Sequence, residues 1–506
     1  MPPEKKETEV PVVPPRGVEK GRMLRNTLFL VLSQFVSAPL SMIINAVLAR
    51  KLGAEDFGNI YLASTMAALG FLFVDWGQTS TITQRVAMKN LDVSEIIGTS
   101  VALKSVLVVA TTLALVAIAW ILGYSRAVFL ALGLTIAQQV FVSLMATYTS
   151  VMRGIERLDW VSGLTVAGNL MMAALVIPAA LLGGGLGGTL TAQALAALLT
   201  LIVAARLLAK VRLPPARATR AMGRTLMKLG GSFVLFNIVL ALQPYVDAVV
   251  LSRLSSTEAV GWYAAARRFL GLLIFPATTV GFVLYPTMSR LWHENQPQFT
   301  YLLRMSLRLV ITVGVCASMG TYLFADFAIN VLYSNAGFGP AVEDLQVLSG
   351  FIFLLYFTLI LGAAIAASGK QLVWAISQIM CVVVSAVGDP FLVPYCARHY
   401  GNGGLGVCIA AVISEVMMVT AALILMRKEK LLSSLATAAL PALTGAGGMW
   451  LVAWALRNFA APLAMAACVI VYGALVVALG GVDRTHLALI KDVVRSKRRS
   501  KEGTSA

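Results

Sequence analysis

Apolar runs of about 20 residues or more follow one another along the chain, separated by short polar or glycine-rich breaks. Each is long enough to cross the ~30 Å hydrocarbon core of a bilayer as a helix rising about 1.5 Å per residue. The pattern predicts about 14 such spans, near residues 27–49, 58–82, 96–121, 127–151, 160–182, 188–209, 231–251, 259–286, 304–325, 345–367, 371–393, 404–426, 436–456 and 461–480. No segment carries the ten-residue alternation of a membrane barrel, so the expected fold is all-α and polytopic. The longest stretches outside the spans, about 287–303 and 326–344, are too short to form a separate domain.

Composition agrees with that reading, since 58% of the 506 residues are hydrophobic and only 12% are charged. The charges that remain are biased to the basic side, with 40 Lys and Arg against 23 Asp and Glu. Most of the basic residues fall at one set of span ends if the amino terminus is placed inside. The positive-inside rule then predicts a multi-pass protein of the cell inner (plasma) membrane with both termini cytoplasmic. The densest clusters are Lys210, Arg212, Arg217, Arg220, Arg224 and Lys228, then Arg427, Lys428 and Lys430, then Lys497, Arg498 and Arg499. They read as topology signals touching anionic lipid headgroups, not as a nucleic-acid surface.

The first 22 residues, rich in Pro, Glu and Lys, read as a solvated tail and not as a cleaved signal. Five scattered cysteines and three histidines have no metal-ligand spacing, so no metal and no cofactor is expected. GGGLGG at residues 183–188 matches a glycine-rich phosphate loop in form, but no strand precedes it, and it reads as an outward turn.

Comparing the chain with itself at an offset of 202 aligns INAVLARKLGAEDFGNIYLA, residues 44–63, with VDAVVLSRLSSTEAVGWYAA, residues 246–265. Tyr61 meets Tyr263, Leu52 meets Leu254, and polar Asn45 meets Asp247. Six spans separate the copies, so both halves enter the membrane in the same direction, related by a pseudo-twofold axis along its normal. The expected organisation is a disordered cytoplasmic tail (1–25), a six-helix bundle (26–209), a basic cytoplasmic linker (210–230), a second six-helix bundle (231–426), two additional helices (427–480) and a basic cytoplasmic tail (481–506).

Four stretches, ARKLGAEDFGNIYLA, VDWGQTS, AVGWYAAARRFLGLL with VLYPTMSRL, and VLYSNAGFGPAVEDLQVLSG, carry a family resemblance in their order and spacing. The chain resembles the Wzx-type polysaccharide-export flippases of the multidrug/oligosaccharidyl-lipid/polysaccharide (MOP) exporter superfamily. The resemblance covers spans 1 to 12, and the last two more loosely. It implies a V-shaped transporter of two six-helix bundles that moves an undecaprenyl-diphosphate-linked oligosaccharide from the cytoplasmic to the outer leaflet.

Such a cargo asks for cations to meet its phosphates and a wet cavity for its sugars. Arg267 and Arg268 lie about 13 Å below the outer end of span 8, deeper than a side chain comfortably snorkels. Adjacent helical residues point about 100° apart, so the two do not face one narrow path equally. By the resemblance to lipid II flippases, in which an arginine of span 8 serves the diphosphate, Arg267 takes that position. Lys104 within span 3 either meets the loaded cargo or snorkels, and Asn45 in span 1 is a further candidate for the substrate cavity. Asp247, beside Gln243 and Pro244, lies at the depth of Arg267, and a pairing between them is expected. Asp247, Asp75, Asp389 and Glu415 are the candidates for gating or ion coupling, with Glu415 the deepest carboxylate. Pro39, Pro178, Pro244, Pro276 and Pro390 interrupt spans and allow bending. Trp76, Trp262, Tyr263 and Tyr285, near span ends, read mainly as interface anchors.

The expected partners are therefore the lipid-linked oligosaccharide, anionic lipids, and a polysaccharide polymerase with its chain-length regulator, around a monomeric carrier. Other readings stand beside this one. A drug or cation exporter of the same superfamily would want an acidic cavity. A lipid II flippase would carry arginines where span 1 has the uncharged SMIINAVLA, residues 41–49. A membrane glycosyltransferase or polymerase would need a sizeable outward loop bearing acids, Arg or His. No nucleotide-binding motif supplies energy, so an ion gradient, the membrane potential or consumption of product sets the direction of transport.

Overall fold

The computed structural model describes residues 17–88, 92–211, 217–334, 337–429 and 431–481. Among them, all regular structure is helical. The order is α1 (Gly17–Asp75), α2 (Gln78–Ala87), α3 (Val93–Ile121), α4 (Arg126–Gly154), α5 (Leu158–Leu181), α6 (Gly185–Ala209), α7 (Arg220–Leu254) and α8 (Thr257–Glu294). Then come α9 (Gln296–Leu323), α10 (Ala325–Tyr333), α11 (Ala341–Ala367), α12 (Gln371–Tyr400), α13 (Gly403–Leu425), α14 (Leu431–Ala455) and α15 (Ala461–Ala478).

Ten helices among the described residues are apolar and long enough to cross a membrane by themselves. One of these, α1, is two rods, because Gly53 adopts φ 78° and ψ 177°, a conformation only glycine takes without strain. With α7, α8 and α14, whose lengths also suffice, the described residues supply fourteen membrane-length segments. The polar breaks are helix caps: Asp92, Ser125, Thr219, Ser256, Asn295 and Asn402 each accept a backbone N–H from the first turn that follows.

Several expected boundaries move. Helix α1 begins at Gly17, inside the stretch read as a disordered tail, and residues 1–16 lie outside the described residues. Of the supposed basic linker, α7 takes everything from Arg220 onward, while 212–216 are outside the described residues. The gap read at 287–303 is nearly all helix, since α8 runs to Glu294 and α9 starts at Gln296. Polar side chains there extend the helices beyond the apolar window instead of ending them. Part of 326–344 is the short helix α10. The tail from 482 onward, with Lys497, Arg498 and Arg499, lies outside the described residues.

Helices α1 to α6 pack on one another as a first half, α7 to α13 as a second, and α14 with α15 rests on α9. The two halves are related by a pseudo-twofold axis along the membrane normal. The break at Gly53 falls opposite Ser255 at the 202-residue offset, where α7 gives way to α8. By chain direction, the ends where α3, α5, α7 and α12 begin form one face of the bundle, and most Lys and Arg gather there. This end is the basic face, and the end near Gly53 is the opposite face.

The seam between the halves is fastened at both faces. Near the opposite face α1 and α8 approach so closely that a Cβ on Gly58 would stand 2.0 Å from the Thr257 carbonyl oxygen, and one on Gly261 would stand 2.1 Å from that of Ala54. Arg50 donates to the Val331 and Leu332 carbonyls at the end of α10, and the Tyr124 and Ser252 hydroxyls meet at 2.7 Å. At the basic face the Trp76 indole donates to the Met227 carbonyl at 3.0 Å, and Thr219, the N-cap of α7, is bonded to both Thr99 and Glu95 on α3.

Candidate functional site

A cavity of about 810 Å³ opens within the second half, walled by α7, α8, α11, α12 and α13. On α8 the lining runs from Arg267 through Leu270, Gly271, Ile274, Thr278 and Gly281 to Tyr285, steps of three and four residues that mark one helical face. This stripe spans about 27 Å along the axis. Most of the wall is apolar, and Gln243, Arg267 and Glu415 gather at comparable depth, about 15 to 18 Å from the ends of α7, α8 and α13 at the opposite face.

Arg267 is held there by a chain of polar contacts. Its Nη1 donates to the Tyr263 hydroxyl at 2.5 Å, and that hydroxyl donates to Asp247 Oδ2 at 3.0 Å. The guanidinium itself stands 3.9 Å from Asp247, so the pairing expected from depth is present in the structure, with Tyr263 between the two charges. Asp247 is fully buried and also accepts from Ser385 on α12 at 3.4 Å, whereas Arg267 keeps 22% of its side-chain surface open. Burying an ionised carboxylate is costly unless it is paired, and these three partners provide the compensation. One face of Arg267 is thus satisfied by protein and the rest is turned toward the cavity.

Arg268 points elsewhere, as the helical geometry requires. Its guanidinium lies 6.0 Å over the Phe57 ring across the seam, its Nε has no hydrogen-bond partner, and it does not line the cavity. Lys104 is buried in the first half, with Nζ 3.3 Å from Asp75 Oδ1 and 2.9 Å from the Ser143 carbonyl. It neither snorkels nor reaches this cavity. Asp75, a quarter exposed, also accepts from the Thr79 hydroxyl at 2.6 Å, so it holds the chain where it turns through Trp76 and Gly77, both at positive φ. Asn45 donates to the Ser41 carbonyl one turn back at 2.7 Å and is absent from the cavity wall.

Glu415 does line the cavity, beside the Thr358 hydroxyl, and its Oε1 has no hydrogen-bond partner. Asp389 is fully buried next to Pro390, with neither carboxylate oxygen partnered. The structure therefore places Arg267 and Glu415 on the wall of one cavity, with Asp247 buried behind Arg267, while Lys104, Asp75, Arg268, Asn45 and Asp389 are not part of that wall.

Two residues read as interface anchors have other positions. Tyr263 is wholly buried and joins Arg267 to Asp247, and Trp76 is hydrogen-bonded across the seam. The 202-residue repeat already singled out Tyr263 by pairing it with Tyr61, but an aromatic near a span end reads first as an anchor. Gln371, Trp374 and Gln378 line the cavity without having drawn notice, because single polar residues on an apolar helix carry no motif.

No curated protein sequence matches the chain. Its fold is similar to that of the lipid II flippase MurJ in an inward-closed conformation, with a TM-score of 0.71 at 14% identity, covering 90% of this chain and 99% of that one. It is also similar to an inward-facing multidrug resistance MATE family transporter of the MOP superfamily, with a TM-score of 0.63 at 15% identity over 80% of this chain and 99% of that one. An outward-facing MATE family transporter gives a TM-score of 0.53 at 18% identity over 82% and 98%. The fold is thus similar to that of these solved transporters. Residues 23–292 match the model of the polysaccharide biosynthesis protein family, and the chain belongs to that family.

Proposed function

We propose that this protein is a flippase for an undecaprenyl-diphosphate-linked oligosaccharide, carrying it from the cytoplasmic to the outer leaflet for synthesis of a surface polysaccharide such as O-antigen, capsule or exopolysaccharide. The observation that carries this reading is Arg267, a partly open guanidinium deep in the wall of a cavity of about 810 Å³. A guanidinium gives charge-assisted, bidentate contacts to phosphate oxygens, and a water-accessible cavity at membrane depth spares the diphosphate the full cost of entering hydrocarbon. Tyr263 and Asp247 fix its position without consuming all five of its N–H donors.

The step is alternating access. With the basic face cytoplasmic, the Trp76 and Thr219 contacts part to admit the headgroup, and the Gly58 and Gly261 contacts part to release it, while the prenyl tail stays in lipid. Glu415, Asp247 and Asp389 are the acids available for coupling to an ion gradient. The carrier works as a monomer in the inner membrane, supplying a polysaccharide polymerase and its chain-length regulator.

The test reconstitutes the full chain in liposomes with a fluorescent undecaprenyl-diphosphate oligosaccharide and compares wild type with Arg267→Ala, Arg268→Ala and the double variant. Translocation is expected to fall at least ~10-fold with Arg267→Ala, the loss of a charge-assisted bond. Undiminished translocation in the double variant would sink the proposal.

A further inference from the structure

Resting on that reading of the cavity, a second feature of its wall remains unexplained. Along α12 the residues that face it are Gln371, Trp374, Ala375, Gln378, Cys381 and Val382, one side of the helix, with Gln371, Trp374 and Gln378 bringing its amides and indole. The side-chain amides of Gln371 and Gln378, the amide of Gln243 on α7, and the indole N–H of Trp374 find no protein partner among the described residues. In the open cavity water can satisfy these groups, so a cargo that displaces the water has to supply partners in its place.

The cargo group that can take the place of that water is restricted by their chemistry. A prenyl chain would leave every one of them unbonded. A phosphate would call for cations, and Arg267 is the cation on this wall among the described residues. Sugar hydroxyls both donate and accept, as carboxamides do, and the apolar face of a pyranose suits an indole ring. Space for that ring is kept by Gly362 on α11, where a Cβ would stand 3.0 Å from the Trp374 Nε1.

Position agrees with chemistry. Helix α12 starts at the basic face, so Gln371 and Trp374 lie in its first turn, at that end of the cavity, with Gln378 about 11 Å further in. Arg267 lies toward the far end, three turns of α8 into the bundle. We propose that Trp374 and Gln378, with Gln371 at the mouth, form a sugar subsite that reads the glycan while Arg267 holds the diphosphate.

The experiment measures equilibrium binding of two probes to the purified full chain in nanodiscs: undecaprenyl diphosphate, and undecaprenyl diphosphate bearing a trisaccharide. Trp374→Ala and Gln378→Ala are each expected to weaken the trisaccharide probe about 5-fold and to leave the bare diphosphate within about 2-fold. Arg267→Ala should weaken both probes alike. Trp374→Phe, which keeps an aromatic ring and guards against loss of folding, should restore most of the trisaccharide affinity. If the α12 variants weaken both probes equally, or neither, the sugar subsite is wrong while the flippase reading survives. If wild type binds neither probe, both fall.

Discussion

Tyr61 and Tyr263, equivalent at the 202-residue offset, meet edge to face across the seam with ring centroids 6.2 Å apart. Two equivalent residues touch each other only if they lie beside the axis that relates their halves, so this contact marks where the pseudo-twofold runs. The symmetry stops at the next turn. Tyr263 continues into Arg267 and Asp247, whereas the positions equivalent to Arg267 and Asp247 are Thr65 and Asn45.

That asymmetry predicts unequal effects of removing the two hydroxyls. Tyr263→Phe removes the closer of the two hydroxyl donors to Asp247, leaving Ser385, and frees Arg267 from its anchor, at a cost of about 1 to 3 kcal/mol. Thermal unfolding in detergent should show the loss, with a drop in translocation. Tyr61→Phe should change neither, because its hydroxyl has no hydrogen-bond partner among the described residues.

The close approaches along the seam predict opposite responses to a single methyl group. In Gly230→Ala the new Cβ would meet the Trp76 carbonyl oxygen at 2.0 Å, which forces α7 away from α1 at the basic face. Gly261→Ala acts in the same way on α1 and α8 near the opposite face. Hydrogen exchange should speed up around residues 74–80 and 224–230 in the first variant, and around 54–61 and 257–264 in the second. Identical exchange maps in the two variants would mean that the contacts at the two faces do not open separately.

Arg50 reaches from α1 to the last carbonyls of α10, where a helix carries its partial negative charge. Arg50→Ala should therefore raise exchange across residues 325–333 and leave the basic face unchanged. Equal exchange in α10 with and without the arginine would remove α10 from the seam's fastenings.

Lys104 and Asp75 form an ion pair within the first half, away from the cavity. Lys104→Met leaves Asp75 without its countercharge, with Thr79 as its remaining partner, and should cost ~2 kcal/mol, less than for a fully buried pair because Asp75 is 26% exposed. The double change Lys104→Met with Asp75→Leu should recover part of that stability. A calorimetric scan of the three variants checks the order, and a double variant less stable than Lys104→Met would contradict it.

Much of the fold was legible in sequence, and the reason is the solvent. In hydrocarbon every backbone polar group must bond within its own helix, so run length alone predicts the spans, and basic residues mark one face. The repeat aligned the stretch in which α1 breaks with the one in which α7 gives way to α8, and helical rise alone set Asp247 at the level of Arg267. The 100° step between neighbours likewise required Arg267 and Arg268 to diverge.

The tertiary structure decided what each charge meets. Depth along a helix can be counted, but which way a side chain turns depends on how the helix is rotated in its bundle, and rotation is set by packing. So Lys104, legible as a charge in a span, is tied to Asp75 and Ser143. Tyr263, which looked like an anchor, joins an arginine to an aspartate. The amides of α12, invisible as a motif, line a cavity because α8 and α11 turn mostly small and apolar residues toward the same space.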